Sequence, residues 1–256
     1  MIDRSPPSFA RRFWPLVAFG FAGVASLPLA MLPALRVLVR NGYAAGMSLG
    51  ELAALSLIQP ALLLVAGAAV GATLAPGLGL TSHVARVNVH GRFVKELPLA
   101  IASGMAIGIA IAGLDFALFQ HTALARPASM RAIAGGLIGG VLYGGLAEEI
   151  MMRWGLMSFV AWLGMRLFAR NAATLPASIG VAAIVIVALL FAAGHLPAAA
   201  MTAPLTSNVV ARTLLLNAVA GLLFGWLFWR RSLESAMVAH ASVHVVFAVA
   251  QTLGWR

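Results

Sequence analysis

Apolar and polar positions alternate along the chain in long blocks. Apolar runs of about 20 residues, the length that a helix needs to cross a bilayer, are separated by short segments rich in Arg and Gly. Seven runs are clear, and they lie at 13–35, 52–74, 97–119, 131–151, 175–195, 209–229 and 235–254. An eighth run, 154–168, is short and directly follows the fourth, so it is either a steep short span or an extension of the fourth helix. We favour eight, and expect an all-α, polytopic transmembrane helix bundle.

The polar connections do not divide the chain into separate units. There is no linker rich in Pro and Ser, no shift of composition and no evident internal repeat, and the longest polar connection is 75–96. We therefore expect a single integral membrane domain over 1–256, whose chemical motifs lie in the half at about 131–254.

Composition supports the membrane assignment and excludes other classes. The chain is 62% hydrophobic and only 9% charged, whereas a soluble domain carries roughly 25% charged residues. The net charge of +10 comes almost entirely from Arg in the gaps between apolar runs, where it faces lipid headgroups. We expect the lipid bilayer as a partner and no nucleic acid. With no Cys, a disulfide, a thiolate metal site and a Cys nucleophile are excluded.

The distribution of cations predicts the orientation. The N-terminus and the second loop together carry six, and the first and third loops carry four. Since the more basic side is normally cytoplasmic, we expect an integral protein of a bacterial inner membrane with its N-terminus in the cytoplasm. The cations counted are Arg4, Arg11, Arg12, Arg86, Arg92 and Lys95 on one side, and Arg36, Arg40, Arg126 and Arg131 on the other.

The fourth span is rich in Gly at small-xxx-small spacings, namely 135/139, 136/140 and 140/144. Such spacings let helices pack closely in a membrane. Simple helix association is one interpretation. The other is that the glycine face lets another helix, or an extended peptide, approach the backbone.

Ionisable side chains within apolar spans each cost about 2.5 to 3.5 kcal/mol on insertion scales, and six of those within or at the ends of the spans are informative. Such residues normally face a bundle interior or a wet cavity. They are Glu148, Glu149 and Arg153 on the fourth span, His195 at the end of a later one, and His240 and His244 on the last.

Spacing on the fourth span assigns the two acids different tasks. Glu149 and Arg153 are four residues apart, so on a helix they share a face and neutralise one another. Glu148 is turned away by about 100° and is left as the free carboxylate. It is a candidate general base, and the alternative is an acid that only reaches the membrane surface.

The histidines form a second constellation. His240 and His244 lie one helical turn apart and address the same point. With His195 and Glu148 they offer three nitrogens and one oxygen, a set that zinc accepts. A metal-free site, in which the imidazoles bind water and a developing oxyanion, uses the same residues.

These residues carry a family resemblance. Glu148-Glu149-x-x-x-Arg153, Phe191-x-x-x-His195 and His240-x-x-x-His244 occur in this order on hydrophobic helices, and the pattern resembles that of the CAAX prenyl protease and bacteriocin-processing (CPBP or Abi) intramembrane proteases. The resemblance implies that Glu148 activates water, that His195 helps to hold it, and that His240 and the residue four positions later stabilise the oxyanion.

The sequence departs from the family at that last position. His244 stands where the family usually has Asn or Asp, so an imidazole donates instead, the site binds a metal, or the activity is altered. The family has been described both as metalloproteases and as glutamate-type peptidases. We favour the glutamate type with no cofactor, and keep zinc as the alternative.

We therefore expect an intramembrane endopeptidase that cleaves an extended segment of a membrane-associated protein or peptide. A proton-coupled transporter or channel and a non-catalytic scaffold derived from the protease fold are the alternatives. Arg212 is expected to reach toward the membrane surface, with a contact to a substrate carboxylate as the alternative, and Asp115 is assigned no role.

The positions of the histidines pose a test for this interpretation. His195 ends its span and His240 begins its own, with one span between them. A shared site requires both rings near mid-depth, or a re-entrant segment at 196–208, and a separation below about 12 Å, two helical pitches.

Overall fold

The computed structural model describes residues 7–42, 44, 46–120, 122 and 129–254. Arg4 and Arg126, which entered the orientation count, lie outside these residues. The α-helices are α1 (Phe9–Arg40), α2 (Leu49–Leu55), α3 (Ile58–Leu74), α4 (Leu97–Phe119), α5 (Met130–Gly139), α6 (Ser158–Phe168), α7 (Ala177–Gly194), α8 (Leu196–Ala200), α9 (Ser207–Arg230) and α10 (Leu233–Thr252).

Seven helical stretches in the described part of the chain are long and apolar enough to cross a membrane. They cover the seven clear apolar runs, apart from two residues at the start of 175–195 and two at the end of 235–254, so the predicted helical bundle is confirmed. They are Phe9–Arg40, Leu49–Leu78, Leu97–Phe119, Met130–Phe168, Ala177–Ala200, Ser207–Arg230 and Leu233–Thr252.

The short eighth run is an extension of the fourth span. Met130–Phe168 is one continuous helix of 39 residues, which at 1.5 Å per residue is almost 60 Å long. Its middle, Gly140–Glu148 and Ile150–Met157, has π-helical hydrogen bonding. We call Met130–Phe168 the long helix. Wide turns of this kind occur often at functional sites, and the acidic motif lies among them.

Glycines allow the long helix to approach its neighbours. A Cβ on Gly155 would collide with the backbone of Gly67 in α3, and a Cβ on Gly135 would collide with the carbonyl of Leu29 in α1. Helix association therefore explains part of the glycine pattern. Small residues commonly allow close packing between membrane helices.

Helix packing defines two faces of the bundle. Gly104 and Gly108 of α4 lie on Ala239 and Val243 of α10, so these two helices run parallel. The N-terminal face is the set of helix ends at Phe9, Leu78, Leu97, Phe168, Ala177, Arg230 and Leu233. The opposite face is the set at Arg40, Leu49, Phe119, Met130, Ala200, Ser207 and Thr252.

A polar loop covers part of the N-terminal face. Ser82 and Val87 pair as an isolated β-bridge within residues 79–96, which we call the cap loop. The carboxylate of Glu234, at the start of α10, accepts hydrogen bonds from Ser82 Oγ at 2.7 Å and from the backbone N–H groups of His83 and Val84, both at 3.0 Å. The cap loop is thereby fixed to the helix that carries the two motif histidines.

A second carboxylate reinforces this attachment. Glu96 accepts hydrogen bonds from Ser232 Oγ and Ser235 Oγ, each at 2.5 Å, and lies 3.1 Å from His83 Nε2. Burial raises the pKa of Glu96, but these three hydrogen bonds lower it by more, so the net pKa lies below the usual value. The ionised form of Glu96 therefore contributes to the attachment.

Candidate functional site

His240 lies at the centre of the motif residues. Its side chain is 6% exposed, and its Nδ1 is 2.8 Å from Oε1 of Glu149. The ring of Phe224 stacks on its face at 4.5 Å and 18°. An ionised carboxylate only accepts hydrogen bonds, so with Glu149 ionised Nδ1 carries the proton. Nε2 is then the free acceptor of the neutral ring.

Glu149 and Arg153 form the ion pair that their spacing predicts. Arg153 NH1 is 3.1 Å from Glu149 Oε1, and both side chains are 1% exposed or less. The guanidinium also lies over the rings of Phe191 at 4.6 Å and Phe224 at 5.2 Å, and NH2 donates to the carbonyl of Gly221 at 3.3 Å. The cation thus binds the long helix to α7 and α9.

Glu148 is more accessible than Glu149. Its side chain is 17% exposed, and its Oε2 is 3.9 Å from His240 Nε2. That separation is too long for a direct hydrogen bond and leaves room for a bridging water. The two adjacent acids therefore meet different ring nitrogens of the same histidine, one closely and one at a distance.

His244 extends the histidine pair. Its Nε2 is 3.3 Å from Nε2 of His240, and the two rings stack at 5.1 Å. Two glycines of the long helix make room for the rings, because a Cβ on Gly140 would overlap the His244 ring and a Cβ on Gly144 would press on both imidazoles. Gly140 and Gly144 therefore admit the imidazole rings of α10, a use of the glycines that neither interpretation of the sequence pattern specified.

His195 lies in the same cavity as the pair. Its ring is 4.5 Å from that of Phe191, whose ring is in turn 6.0 Å from His240. The two imidazoles are therefore closer than about 12 Å, two helical pitches, and the requirement for a shared site is met. His195 Nδ1 lies 2.8 Å from its own helix's Phe191 carbonyl, which leaves Nε2 free to face the cavity.

The cavity has a volume of about 250 Å³. Its polar lining includes all three histidines and, farther out, Asp115, Arg212, Asn217 and Gln251. Phe191, Phe224 and Phe247 supply apolar walls. Glu148 is not part of this lining and meets the histidines from the side of the long helix. A cavity that joins apolar walls to a few polar groups is typical of binding sites.

Arg212, for which the sequence offers the membrane surface or a substrate carboxylate, contacts an acid of the protein itself. Its Nε and NH2 donate to the two carboxylate oxygens of Asp115, both at 2.6 Å. An acid and a cation that are partly buried on neighbouring helices satisfy one another in this way because each alone is costly. Asp115, to which the sequence assigned no role, is thus the partner of Arg212 in the cavity wall.

The zinc alternative requires at least three donors around one point. Among the residues that the structure describes, no group of three or more His, Asp or Glu side chains is arranged to hold a metal ion. The zinc alternative, with Glu148, His195, His240 and His244 as its ligands, is tested by metal analysis of the purified protein.

One side chain and one backbone carbonyl at this site could not be predicted from the sequence. Phe224 stacks on His240 and Arg153, but a Phe in an apolar span is unremarkable. The carbonyl of Gly221 accepts from Arg153, and backbone contacts between distant helices cannot be read from spacing. Asp115 and Arg212 did have one, since each is a charge within a span.

Residues 129–246 match the family of type II CAAX prenyl endopeptidases, Rce1-like. This range contains all three motifs, so the resemblance based on them is confirmed. No curated protein and no solved structure matches the chain. This part of the chain is therefore similar to CAAX-type intramembrane proteases, and the seven apolar helices are those of an integral membrane protein.

Proposed function

We propose that this protein is an intramembrane endopeptidase that uses Glu148 to activate water and His240 to stabilise the oxyanion. The observation that carries the proposal is the contact of adjacent acids with opposite nitrogens of one histidine, Glu149 at 2.8 Å and Glu148 at 3.9 Å. Glu149, which is paired with Arg153, is suited to positioning the histidine. Glu148, which is more accessible, is suited to proton transfer.

The proton transfers follow from this geometry. Glu148 takes a proton from a water that lies between it and His240 and that His195 helps to hold, and the hydroxide attacks a peptide carbonyl. Glu148 then passes the proton to Nε2 of His240, and the carboxylate of Glu149 stabilises the imidazolium through Nδ1, as an acid does for the histidine of a serine-protease triad. The imidazolium donates to the oxyanion and afterwards protonates the leaving amine.

His244 has a supporting role in the same scheme. In the resting site its Nε2–H donates to the unprotonated Nε2 of His240 across 3.3 Å. When His240 gains its proton, this hydrogen bond breaks and His244 turns its donor to the oxyanion. The departure from the family's Asn or Asp then preserves a donor at this position and needs no metal.

The substrate is a membrane-embedded protein, as the family implies, and it presents an extended segment. A helical peptide bond is shielded and already hydrogen-bonded, and the cavity of about 250 Å³ has room for a few side chains only. Leader peptides, sorting tails and modified C-termini near the membrane fit this description.

A comparison of cleaved membrane proteins tests the proposal. Membranes are prepared from cells that express the wild type, Glu148→Gln or Glu51→Gln, and new protein termini are identified by mass spectrometry. Glu51 is the control, since it is an exposed acid in a capping box with Ser48 that Gln also supports. We expect a set of termini shared by wild type and Glu51→Gln and absent with Glu148→Gln. The same set in all three would overturn the proposal.

A further inference from the structure

A second cavity lies at the N-terminal face, apart from the motif residues. There α6, the last part of the long helix, packs against α3 and the turn that follows α3. The cavity between them, which we call the α3–α6 hollow, has a volume of about 380 Å³. Pockets that hold small ligands measure about 300 to 1,000 Å³, so the hollow is large enough for one. Its lining includes Leu74, Leu78, Trp162, Met165, Arg166 and Arg170.

The two arginines of the hollow have N–H donors that the protein does not use. Arg170 Nε donates to the carbonyl of Arg166 at 2.7 Å. A guanidinium has five N–H donors, so four of Arg170 remain. The Arg166 guanidinium lies over the ring of Trp162 at 5.6 Å, a contact that occupies no N–H. Among the described residues, no carboxylate pairs with either cation. Both side chains are exposed and can therefore bind an anion from outside the chain.

The surroundings of the two arginines are those of the membrane boundary. Trp is enriched at the level of the lipid headgroups, and Trp162 lies one helical turn before Arg166. Leu163, Leu167 and Phe168 of α6 are exposed apolar side chains, which in a bilayer face acyl chains. A lipid that carries a negative headgroup contacts both the cations and these apolar side chains, whereas a soluble anion contacts the cations alone.

The charge of the N-terminal face favours an anionic partner. Its two acids in the described part of the chain, Glu96 and Glu234, are both occupied by the attachment of the cap loop to α10. They therefore do not compete with an anion for the arginines of the hollow. The described cations of this face are Arg11, Arg12, Arg86, Arg92, Lys95, Arg166, Arg170, Arg230 and Arg231.

We propose that the α3–α6 hollow binds the headgroup of an acidic phospholipid. Arg166 and Arg170 donate N–H groups to the phosphate oxygens, in charge-assisted hydrogen bonds, and the ring of Trp162 holds the Arg166 guanidinium in position. The acyl chains lie along the exposed apolar side chains of α6. The bound lipid joins α3 to the long helix, which carries Glu148 and Glu149, and so stabilises the bundle. The proposal does not depend on the proposed peptidase activity.

Native mass spectrometry of the purified full-length protein in a non-ionic detergent tests the proposal. The probes are phosphatidylglycerol and phosphatidylcholine with the same acyl chains, and the affinity for the first bound lipid is measured. The double variant Arg166→Gln, Arg170→Gln removes the cations of the hollow. The matched control is Arg230→Gln, Arg231→Gln, which removes the same charge from the same face. Arg230 also lies over a Trp ring, that of Trp229 at 5.2 Å, but neither control residue lines the hollow.

We expect the wild type and the control to bind phosphatidylglycerol with similar affinity, and the variant of the hollow to bind it about 30-fold more weakly. This factor follows because each Arg near a membrane surface contributes about fivefold. Phosphatidylglycerol should also raise the melting temperature of the wild type and the control, but not that of the variant of the hollow. Phosphatidylcholine should bind all three proteins equally and weakly, which also shows that the variants are folded.

Three results would overturn the proposal. Equal loss of affinity in both double variants would show a diffuse attraction to the basic face. Equal affinity of the wild type for the two lipids would show that the headgroup charge is not recognised. Displacement of phosphatidylglycerol by an equal concentration of inorganic phosphate would show a site for a free anion.

Discussion

His240 is held on three sides, by Glu149 at Nδ1, Phe224 on its face and His244 at Nε2. These contacts fix the plane of the ring and the tautomer that fits an ionised Glu149. They also determine what His244 does, because Nε2 of a neutral His240 needs a donor in the resting site. In this chain His244 supplies that donor through its ring N–H.

Substitution of His244 separates the donor role from a metal-ligand role. Asn offers N–H donors with similar reach, so His244→Asn is expected to retain substantial activity, whereas His244→Ala loses about 10² to 10³-fold, the usual effect of removing one oxyanion donor. Cleavage rates are measured with and without a chelator, together with metal content. Two equally inactive variants with loss of a bound metal would contradict the donor role, because Asn is a poor zinc ligand.

Gly140 tests whether the histidine pair must lie against the long helix. A Cβ at Gly140 would overlap the His244 ring, whereas nothing lies within 4 Å of the Cβ position at Gly136. We expect Gly140→Ala to lower the cleavage rate by about 10 to 100-fold, as displacement of a catalytic group by about 1 Å does. The control, Gly136→Ala, should keep full activity. Equal rates for both variants would show that His244 does not need this space.

At the scale of elements, the cap loop is attached to α10 through two carboxylates, each of which accepts several hydrogen bonds. Glu96 lies directly before α4, and Glu234 is the second residue of α10. Their hydrogen bonds therefore help to fix the position of α10, which carries His240. The cap loop is therefore part of the support for the site as well as a cover for one face.

Glu96 makes this support dependent on pH. Its pKa is lowered on folding, so its contribution to stability is fully present above its unfolded pKa of about 4.3 and is lost as the pH falls through the lower folded pKa. Glu96→Gln should therefore lower the melting temperature at pH 7, and the difference from wild type should shrink as the pH falls below about 4.3. Thermal unfolding in detergent at several pH values measures this. A difference that does not change with pH would contradict it.

At the scale of the whole molecule, the sequence predicts the helices well and their pairing poorly. Apolar runs of bilayer length give the seven spans because every backbone group in lipid must be hydrogen-bonded within its segment. The sequence leaves open whether 154–168 is an eighth span, which we favoured, or an extension of the fourth helix, because lipid-spanning length does not limit a helix that continues past the membrane or tilts within it.

The site was predictable as far as local spacing carries the information. Glu149 and Arg153 meet because they are close in the chain, whereas the Asp115–Arg212 pair joins residues 97 positions apart and depends on how α4 packs against α9. The role of Gly140 and Gly144 depends on the packing of α10 in the same way. Long-range packing of similar apolar helices leaves little trace in one sequence.

Cleavage by the purified protein in liposomes tests the central claim most directly. The substrate is one identified from the membrane comparison, and the rate of its cleavage is measured with wild type and with Glu148→Gln. As controls, both proteins should bind the substrate equally well and have the same melting temperature. We expect a rate about 10² to 10⁴-fold lower for Glu148→Gln, the usual contribution of a general base, because the amide cannot accept the proton of water. A Glu148→Gln rate equal to that of the wild type would show that another group activates the water.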